Sequence, residues 1–551
     1  MRRREAREFW AKLVIAVLCL GLVSAAAAAA QSGVKTASIP APPMGWSSWN
    51  SFSNTVDARN VMDQARAMAA DGMRTAGYSY INIDEGWWTG QRDAQGNIVV
   101  DPKQWPALAP GERAGDMSNI VRFIHGLGLK AGIYTDAGYA GCNNNPDLGP
   151  KYFHAGSEGH YEQDFLQFAR WGFDYVKVDW CGGYGEHLDP AVQYARIAHA
   201  IARAEAITGH RLFFSICEWG MNSPWTWAPN IGDSPADIWR TSGDIVDPIV
   251  AGHEHASRKA SFDKVLSNFD QGIHPEAQHT GYYNDPDMMV LGMPGLTGEQ
   301  NRLHMALWAI SGAPLIVGAD LTRLTSAELA DLTNPRVLAI DQDAAGLQAV
   351  KVAEPIPGVQ VWLKPLEENG RRAVLLLNRT ASAEPVSVRW KDLGLTDSLP
   401  VVRDAWTGKQ LTATGDAYGT TLAAGDGALL LIAGKDAPMT RYEPDRREEA
   451  SGSAPPATVK HGHPVRFVNV RSPRPMPRIR IAYRNPDSKT RFAELRVNGE
   501  EMTIVAFPPS GENEVAYVWI QAKLNSGDSG NVLAFSTNCA PGPAIQSIAV
   551  E

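Results

Sequence analysis

Eight short apolar segments alternate with helix-like stretches between residues 44 and 318, and this alternation most constrains how the 551-residue chain can fold. Several strand cores are apolar on successive residues, which is typical of strands buried on both faces of a sheet. Strands that alternate with helices indicate a parallel sheet. Eight such units in about 300 residues therefore predict an α/β fold of the (β/α)₈ TIM-barrel type. The segments are MGWSSWNSF, YSYINIDEGWW, LKAGIYTDAG, FDYVKVDWCGG, LFFSICEWG, DIWRTSGDI, GYYNDPDMMVLG and APLIVGADL.

A doubly wound sheet is the alternative for the same alternation. No strand is followed by the Gly-rich phosphate loop that marks many folds of that kind, so we favour the barrel. Its predicted extent is 38–345. Short alternating strands with turn residues then predict an antiparallel β domain over 346–435.

The rest of the chain changes character twice. Residues 436–462 are rich in charge, Ser, Gly and Pro, and we expect a linker or domain edge there. Residues 463–551 are again β-rich, and Asn498-Gly499 is a hairpin signal. We expect a C-terminal β-sandwich in this last stretch.

Residues 1–30 have the pattern of a secretory signal peptide: a basic start, a short apolar run and a stretch of alanines. A membrane anchor is the alternative, but the run is shorter than the ~20 residues that a span needs. The full chain has a net charge of −9, of which five Lys/Arg and two Asp/Glu in the leader contribute +3, so the mature chain would carry −12. We therefore expect a periplasmic or extracellular protein that binds neither nucleic acid nor, after cleavage, a membrane.

The cysteines have no zinc-site spacing, and export would permit disulfides. Cys142 follows the third predicted strand and Cys181 follows the fourth, which places both at one rim of the barrel. We predict that they are bridged. Cys217 lies inside an apolar strand and is expected to be a small buried residue, whereas Cys539 has no obvious partner.

Acidic side chains gather at the predicted carboxyl ends of the strands, where barrel enzymes place reactive groups. Lys177 and Asp179 are two residues apart on one strand and so share a face. Carboxylates and cations bind hydroxyl groups, and an indole can cover the apolar face of a sugar ring. A metal-dependent hydrolase would also cluster carboxylates but usually adds histidines, which these strand ends lack; a merely polar rim is the other alternative. The rim set is Trp49, Asp84, Glu85, Tyr134, Asp136, Lys177, Asp179, Glu218, Arg240, Asp244, Asp285 and Asp287.

Six of these strand ends together resemble one enzyme family. The motifs MGWSSWNSF, GIYTDAG, YVKVDWC, CEW, WRTSGDI and NDPDM are similar to those of glycoside hydrolase family 27, which includes α-galactosidases and α-N-acetylgalactosaminidases. The likeness runs from about residue 41 to 434. It implies an exo-acting retaining glycosidase that needs no cofactor and no metal, with galactoside oligosaccharides or polysaccharide side chains as substrates. A non-catalytic sugar-binding protein on the same barrel is the rival from another class.

The resemblance assigns the two chemical roles. Asp179, in the K-x-D motif, would be the nucleophile, and Asp244, in the R-x-x-x-D motif, would be the acid/base. Retention requires the two carboxyl groups to lie ~5–5.5 Å apart. Asp179 must be ionised to attack, which nearby Lys177 would favour, and Asp244 must begin protonated.

The same resemblance assigns the binding roles. Trp49 would lie under the sugar, and Asp84, Tyr134 and Lys177 would bind ring hydroxyls. Glu218 and Arg240 would bind the 2-hydroxyl, and Glu218 would fill the space that an N-acetyl group needs. Asp287, from the NDPDM motif, completes the substrate-binding set.

Glu85 departs from the family pattern, which has Asp-Asp where this chain has Asp84-Glu85. The longer side chain would crowd the C6 hydroxymethyl group of galactose, which β-L-arabinopyranose lacks. An α-D-galactoside is the expected substrate and a β-L-arabinopyranoside the alternative. Outside the family core, YRNPDSKTRFAELRVNGE and SIAVE resemble carbohydrate-binding β-sandwich modules of the 6/35 type, with a purely structural sandwich as the other possibility.

Overall fold

The computed structural model describes residues 35–142, 156–230, 235–246, 258–396, 399–445, 457–537 and 542–551. The predicted signal peptide and Cys539 lie outside these ranges. The strands up to the end of the barrel are β1 (Lys35–Thr36), β2 (Met44–Ser47), β3 (Tyr80–Asn82), β4 (Trp88–Arg92), β5 (Ile98–Val100), β6 (Lys130–Asp136), β7 (Tyr175–Asp179), β8 (Phe213–Cys217), β9 (Ile238–Arg240), β10 (Tyr283–Asp285) and β11 (Leu315–Val317).

Eight of these strands form the parallel sheet that the sequence predicts. Their order is β10-β9-β8-β7-β6-β3-β2-β11. The sheet closes between its two ends, because Met289 bridges Val317 in parallel and its N–H donates to the Ile316 carbonyl at 2.7 Å. The predicted barrel is confirmed, and each of the eight apolar segments supplies one strand.

The helices around the barrel begin and end where the sequence offers caps. Asp57 and Thr297 form capping boxes, and Asp189 caps a helix whose first residue is proline. Gly312 ends its helix at φ 61°, a conformation that glycine adopts without strain. Among the described residues no helix combines the length and apolar character needed to cross a membrane. The helices are α1 (Trp49–Phe52), α2 (Ala58–Ala70), α3 (Met73–Ala76), α4 (Ser118–Gly126), α5 (Tyr161–Trp171), α6 (Cys181–Gly185), α7 (Pro190–Thr208), α8 (Phe262–Gln271), α9 (Gly298–Ser311), α10 (Ser326–Leu332) and α11 (Pro335–Asp341).

An antiparallel β domain follows and shares its core with the barrel. Alternate residues of a strand point to opposite faces of the sheet. In the strand Arg371–Asn378, Leu375 therefore packs into the barrel core, while Val374 and Leu376 fill the core of the β domain. Both faces are thus buried. The strands are β12 (Val350–Ile356), β13 (Val359–Pro365), β14 (Arg371–Asn378), β15 (Glu384–Arg389), β16 (Val401–Asp404), β17 (Gln410–Leu411), β18 (Ala417–Leu422) and β19 (Gly427–Ala433).

The C-terminal part is a two-sheet sandwich around one apolar core. Its larger sheet includes β1 from the start of the described chain, paired in parallel with Ala516–Gln521. Two short strands fall inside 436–462, where we expected a linker or domain edge, and both pair with the last strand. The strands are β20 (Thr440–Tyr442), β21 (Ala457–Thr458), β22 (Val465–Ser472), β23 (Arg478–Arg484), β24 (Arg491–Val497), β25 (Glu501–Phe507), β26 (Ala516–Gln521), β27 (Gly527–Ser536) and β28 (Ala544–Val550).

Buried ion pairs join the sandwich to the β domain. Arg372 of β14 lies 2.6 Å from carboxylate oxygens of both Asp436 and Glu551. Arg478 stacks on the ring of Trp519, which is buried against Leu347. These ion pairs and the packing of Trp519 support a structural role for the sandwich. Within 457–537 and 542–551 no aromatic side chain is fully exposed, as a stacking platform for a sugar would be.

Candidate active site

Parallel register places the candidate residues side by side. Asp179 at the end of β7 is in register with Asp136 of β6 and with Cys217 of β8. Two residues earlier, on the same face of the sheet, Lys177 is in register with Tyr134. The strand ends therefore meet at one rim because the hydrogen-bonded ladder aligns them.

Asp179 lies at the centre of the first cluster. Its Oδ2 accepts a hydrogen bond from the Tyr134 hydroxyl at 3.0 Å, and its Oδ1 accepts one from the Trp180 N–H at 3.0 Å. The ammonium of Lys177 is 3.9 Å from Oδ2 of Asp179 and 3.0 Å from Oδ2 of Asp84. The predicted proximity of Lys177 and Asp179 is confirmed, but Asp84 is the closer partner of the lysine.

Burial and charge oppose each other in this cluster. Burial raises the pKa of Asp179, the ammonium of Lys177 lowers it, and Asp244 and Asp84 raise it, with a raised pKa as the result. Burial would lower the pKa of Lys177, but Asp84, Cys217 and Asp179 bring it well above its ordinary value. Lys177 is thus held as a cation, and it is the charge that favours the ionised form of Asp179.

Arg240 organises the second cluster. Its guanidinium lies 3.0 Å from Oδ1 of Asp287 and 3.3 Å from Oδ1 of Asp244. The arginine is buried, whereas the Asp244 side chain is 44% exposed. The two candidate catalytic carboxyls thus differ in environment: Asp179 is enclosed and Asp244 opens to solvent.

Asp287 contacts groups that hold Asp244 in place. Its carboxylate accepts hydrogen bonds from the N–H groups of Ile245 at 2.8 Å and Met288 at 2.7 Å, besides facing Arg240. Its backbone has φ 91°, which is strained for a residue other than glycine. Burial raises its pKa to about 6, although Arg240 lowers it. These contacts support a positioning role at least as strongly as the predicted contact with substrate.

Glu218 directly follows β8, and its carboxylate is held by the next loop. Its carboxylate accepts hydrogen bonds from the Asn222 N–H at 2.9 Å and from the Asn222 amide at 3.1 Å. No ion pair joins Glu218 to Arg240 in the part of the chain that the structure describes. Burial raises the pKa of Glu218 to about 7, while the hydrogen bonds from Asn222 lower it.

The raised pKa of Glu218 makes stability depend on pH. The folded protein binds this proton more tightly than the unfolded chain, so the contribution is full below about pH 4.5 and is lost as the pH rises through about 7. We expect Glu218→Gln, which stays neutral, to have a higher melting temperature relative to wild type at pH 8 than at pH 5. Calorimetric unfolding of wild type and Glu218→Gln at pH 5 and pH 8 measures this difference in melting temperature. The same difference at both pH values would contradict the prediction.

Glu85 is buried beside the loop that carries the disulfide. A Cβ atom built on Gly141 would come within 2.5 Å of its Oε1. The predicted Cys142–Cys181 disulfide is confirmed, with Cα atoms 4.9 Å apart, and Cys217 is free and buried as expected. The carboxylate of Glu85 therefore extends toward this loop, and Gly141 leaves the space for it.

Arg258 belongs to the site although no sequence pattern indicated it. It follows Asp244 in a stretch without strand periodicity, yet its Nη1 donates to the Trp49 carbonyl at 3.2 Å. Its guanidinium lies over the Trp49 ring, 5.5 Å from the centroid. The contact joins residues far apart in the chain, so only the fold reveals it.

The geometry defines a class of protein. A closed barrel presents, at the carboxyl ends of its strands, a buried carboxylate beside a lysine and a solvent-open carboxylate beside an arginine. These are the parts of a barrel glycoside hydrolase that works with two carboxyl groups.

Comparison with known proteins identifies the family. A family model described as α-galactosidase A matches residues 41–343, and one described as the α-galactosidase C-terminal β-sandwich domain matches 357–432. An α-galactosidase A of Cellvibrio japonicus is 39% identical over 376 residues, which cover 68% of this chain and 85% of that protein. The chain belongs to the α-galactosidase family, glycoside hydrolase family 27.

Solved structures agree with this fold. The α-galactosidase I of Mortierella vinacea superimposes with a TM-score of 0.61 at 28% identity, covering 72% of this chain and 98% of that one. A β-L-arabinopyranosidase of Geobacillus stearothermophilus has a TM-score of 0.59 at 22% identity, covering 71% and 96%, and this likeness shows the fold alone. Residues 476–550 match a model described as the CBM13 domain of α-galactosidase, which differs from the 6/35 type that the sequence resembles.

Proposed function

We propose that this family member is an exo-acting retaining glycosidase that releases terminal α-D-galactose from oligosaccharides or polysaccharide side chains. The observation that carries the proposal is the contrast between the two carboxyls at the rim. Asp179 is enclosed and bonded by Tyr134, whereas Asp244 is open to solvent and paired with Arg240. A nucleophile must be held in a fixed position, as Asp179 is by its hydrogen bonds. A group that later activates water must be reached by solvent, as Asp244 is.

In the first step Asp179 attacks the anomeric carbon and the glycosidic C–O bond breaks. Asp244 donates its proton to the departing oxygen, which leaves a covalent glycosyl-enzyme. In the second step Asp244, now a carboxylate, takes a proton from water, and the water oxygen displaces Asp179. Two inversions at the anomeric carbon give net retention.

The groups around Asp179 support its role. The Tyr134 hydroxyl and the Trp180 N–H donate to its two oxygens, which fixes the carboxylate and favours its ionised form. Lys177 adds a positive charge 3.9 Å away. A pre-positioned carboxylate of this kind needs little rearrangement to attack.

The binding roles of the other rim residues stay part of this proposal. Asp84 and Lys177, 3.0 Å apart, would bind neighbouring ring hydroxyls, and Trp49 would cover the apolar face of the sugar. Glu218 would exclude an N-acetyl group by occupying its space. Arg240 would reach the 2-hydroxyl.

We also propose export of the mature chain. The leader pattern in residues 1–30 supports it, and so does the disulfide, because such bonds persist in oxidising compartments. Carbohydrate binding by the C-terminal sandwich stays a prediction.

A β-L-arabinopyranosidase is the second candidate, and Glu85 is the observation that favours it. A glutamate directed toward the C6 side of the sugar would suit a pentopyranose better than galactose. Its Oε1 lies against Gly141 in this structure, and we infer that this direction leaves part of the space near C6 to the hydroxymethyl group. We therefore retain galactose as the preferred sugar.

Substitution at Glu85 tests the choice of sugar. We expect wild type to show a higher kcat/KM for p-nitrophenyl α-D-galactopyranoside than for p-nitrophenyl β-L-arabinopyranoside. Glu85→Asp removes one methylene near C6 and should raise the galactoside-to-arabinopyranoside ratio by about tenfold, since one methylene is worth ~1–3 kcal/mol.

Gly141→Ala provides the matched variant, because the new methyl group displaces the Glu85 carboxylate without changing the acid. It should lower the same ratio. A wild-type preference for the arabinopyranoside would assign the pentose as substrate instead. A ratio that neither variant changes would remove Glu85 from the determinants of specificity.

A further inference from the structure

Arg258 is a buried cation at the edge of the site with part of its hydrogen-bonding capacity unused. The residue is 8% exposed, and its Nη1 donates to the Trp49 carbonyl. Its Nε and Nη2 atoms are buried and have no hydrogen-bond partner among the described residues. Leaving such donors unpaired in a buried site costs free energy, which a ligand that accepts from them would recover.

The two unpartnered atoms lie on the same edge of the guanidinium. The Nε–H and one Nη2–H bond point in parallel, and this fork matches the two oxygens of a carboxylate. A single hydroxyl oxygen would satisfy only one of them. The free edge therefore favours a planar anion with two acceptor oxygens.

Arg258 lies at the rim of the barrel, because its guanidinium stacks on Trp49. Burial lowers the pKa of the guanidinium, while the charges of Asp244 and Asp84 raise it. Both carboxylates are thus within electrostatic range, although neither forms an ion pair with Arg258 in the described chain. Asp244 is the group assigned to the departing oxygen, so a ligand held by Arg258 would lie near the position of the leaving group.

We propose that Arg258 is a substrate-binding residue that holds a carboxylate on the leaving group, as supplied by a uronic acid unit joined to the terminal galactose. The inference rests on the proposed function, because a released galactose is neutral and only the remainder of the substrate can carry the anion. Arg258 would then direct the enzyme toward galactosylated acidic oligosaccharides and polysaccharides.

Two disaccharides that differ at one carbon test this. In both, galactose is α-linked to O4, of galacturonic acid in one and of galactose in the other. We expect wild type to cleave the uronate with a kcat/KM at least about tenfold higher, as for hydrogen bonds to a charged group. The preference should fall as ionic strength rises. Equal values for the two substrates in wild type would overturn the inference.

Variants separate the fork from its charge. Arg258→Gln should abolish the preference, and Arg258→Lys, which keeps the charge without the fork, should retain only part of it. Arg302→Gln is the control, since Arg302 also stacks on an indole, that of Trp406, but lies away from the rim; its ratio should equal that of wild type. If Arg258→Gln slows both substrates by the same factor, Arg258 acts only by holding Trp49 and the inference fails.

Binding measurements distinguish failure of this inference from failure of the proposed function. If wild type cleaves neither disaccharide, the proposed function fails on these substrates. Calorimetric titration of both into Asp179→Asn then decides the role of Arg258. Tighter binding of the uronate supports it, and equal affinities overturn it. If Arg258→Gln does not fold, the wild-type ratio and Arg258→Lys decide.

Discussion

Asp179→Asn is expected to lower kcat by at least about 10⁴-fold while galactose still binds, because the variant keeps the shape of the side chain and loses the nucleophile. The Trp180 N–H would still find an acceptor in the asparagine oxygen, and the Tyr134 hydroxyl, which now faces the amide NH2, can accept from it. Turnover of an aryl galactoside and calorimetric titration with galactose measure the two quantities. Unchanged hydrolysis would remove the mechanism and favour a different nucleophile.

A smaller variant identifies the face of attack. Asp179→Gly leaves space in which azide can attack the anomeric carbon directly, so the product should be β-galactosyl azide, inverted relative to the substrate. NMR of the anomeric proton reads the configuration. Formation of the α-azide from this variant would contradict the assignment of Asp179.

Asp136→Asn is the control for the loss of a buried carboxylate. Asp136 lies in register with Asp179, but its Oδ1 accepts hydrogen bonds from the N–H groups of Gly138 and Gly182. Its role is therefore to stabilise the loops that follow the two strands. We expect a lower melting temperature with measurable turnover. If both variants lost activity equally, a structural role for Asp179 would explain the result as well as a chemical one.

Asp244→Ala is expected to distinguish substrates by their leaving groups. Removing the proton donor should lower kcat/KM by ~10²–10⁴-fold for a disaccharide, whose departing alkoxide needs the proton. For 2,4-dinitrophenyl α-D-galactopyranoside, whose leaving group departs unaided, the first step should be little affected. Equal losses on both substrates would assign the acid role elsewhere.

Azide also tests the second half of the reaction. In Asp244→Ala the glycosyl-enzyme forms from the activated substrate but lacks a base to activate water, so azide should accelerate turnover and give the α-azide. The opposite configurations from Asp179→Gly and Asp244→Ala would together establish a double displacement. A non-catalytic sugar-binding protein would show neither product.

Local sequence patterns predicted which residues form the rim of the site, because the reactive side chains lie at the carboxyl ends of the strands. An apolar run that ends on a polar residue marks a barrel strand, and parallel ladders bring all such ends to one rim. Asp179, Lys177 and Tyr134 were therefore found together. The Cys142–Cys181 disulfide followed from the same reasoning, since the loops after two adjacent strands lie at one rim of the barrel.

The contacts of the loops could not be read in this way. Glu218 directly follows a strand as expected, and its carboxylate accepts hydrogen bonds from Asn222 in the next loop. Contact of Asp287 with substrate stays a prediction, and the sequence did not indicate that its oxygens also contact Ile245, Met288 and Arg240. The strand fixes the Cα position of a residue at its end, but the side chain can adopt several rotamers. Contacts with the neighbouring loops select one of them.

The sequence by itself determined the eight-stranded barrel, the rim of carboxylates, the disulfide and the family motifs, because each depends on short-range periodicity and on spacing along the chain. Only the tertiary structure decided that Arg258 lies over Trp49, that Glu85 extends toward Gly141 and that β1 joins the C-terminal sandwich. These contacts join residues distant in sequence, and their stability comes from burial and packing that exist only once the whole chain has folded.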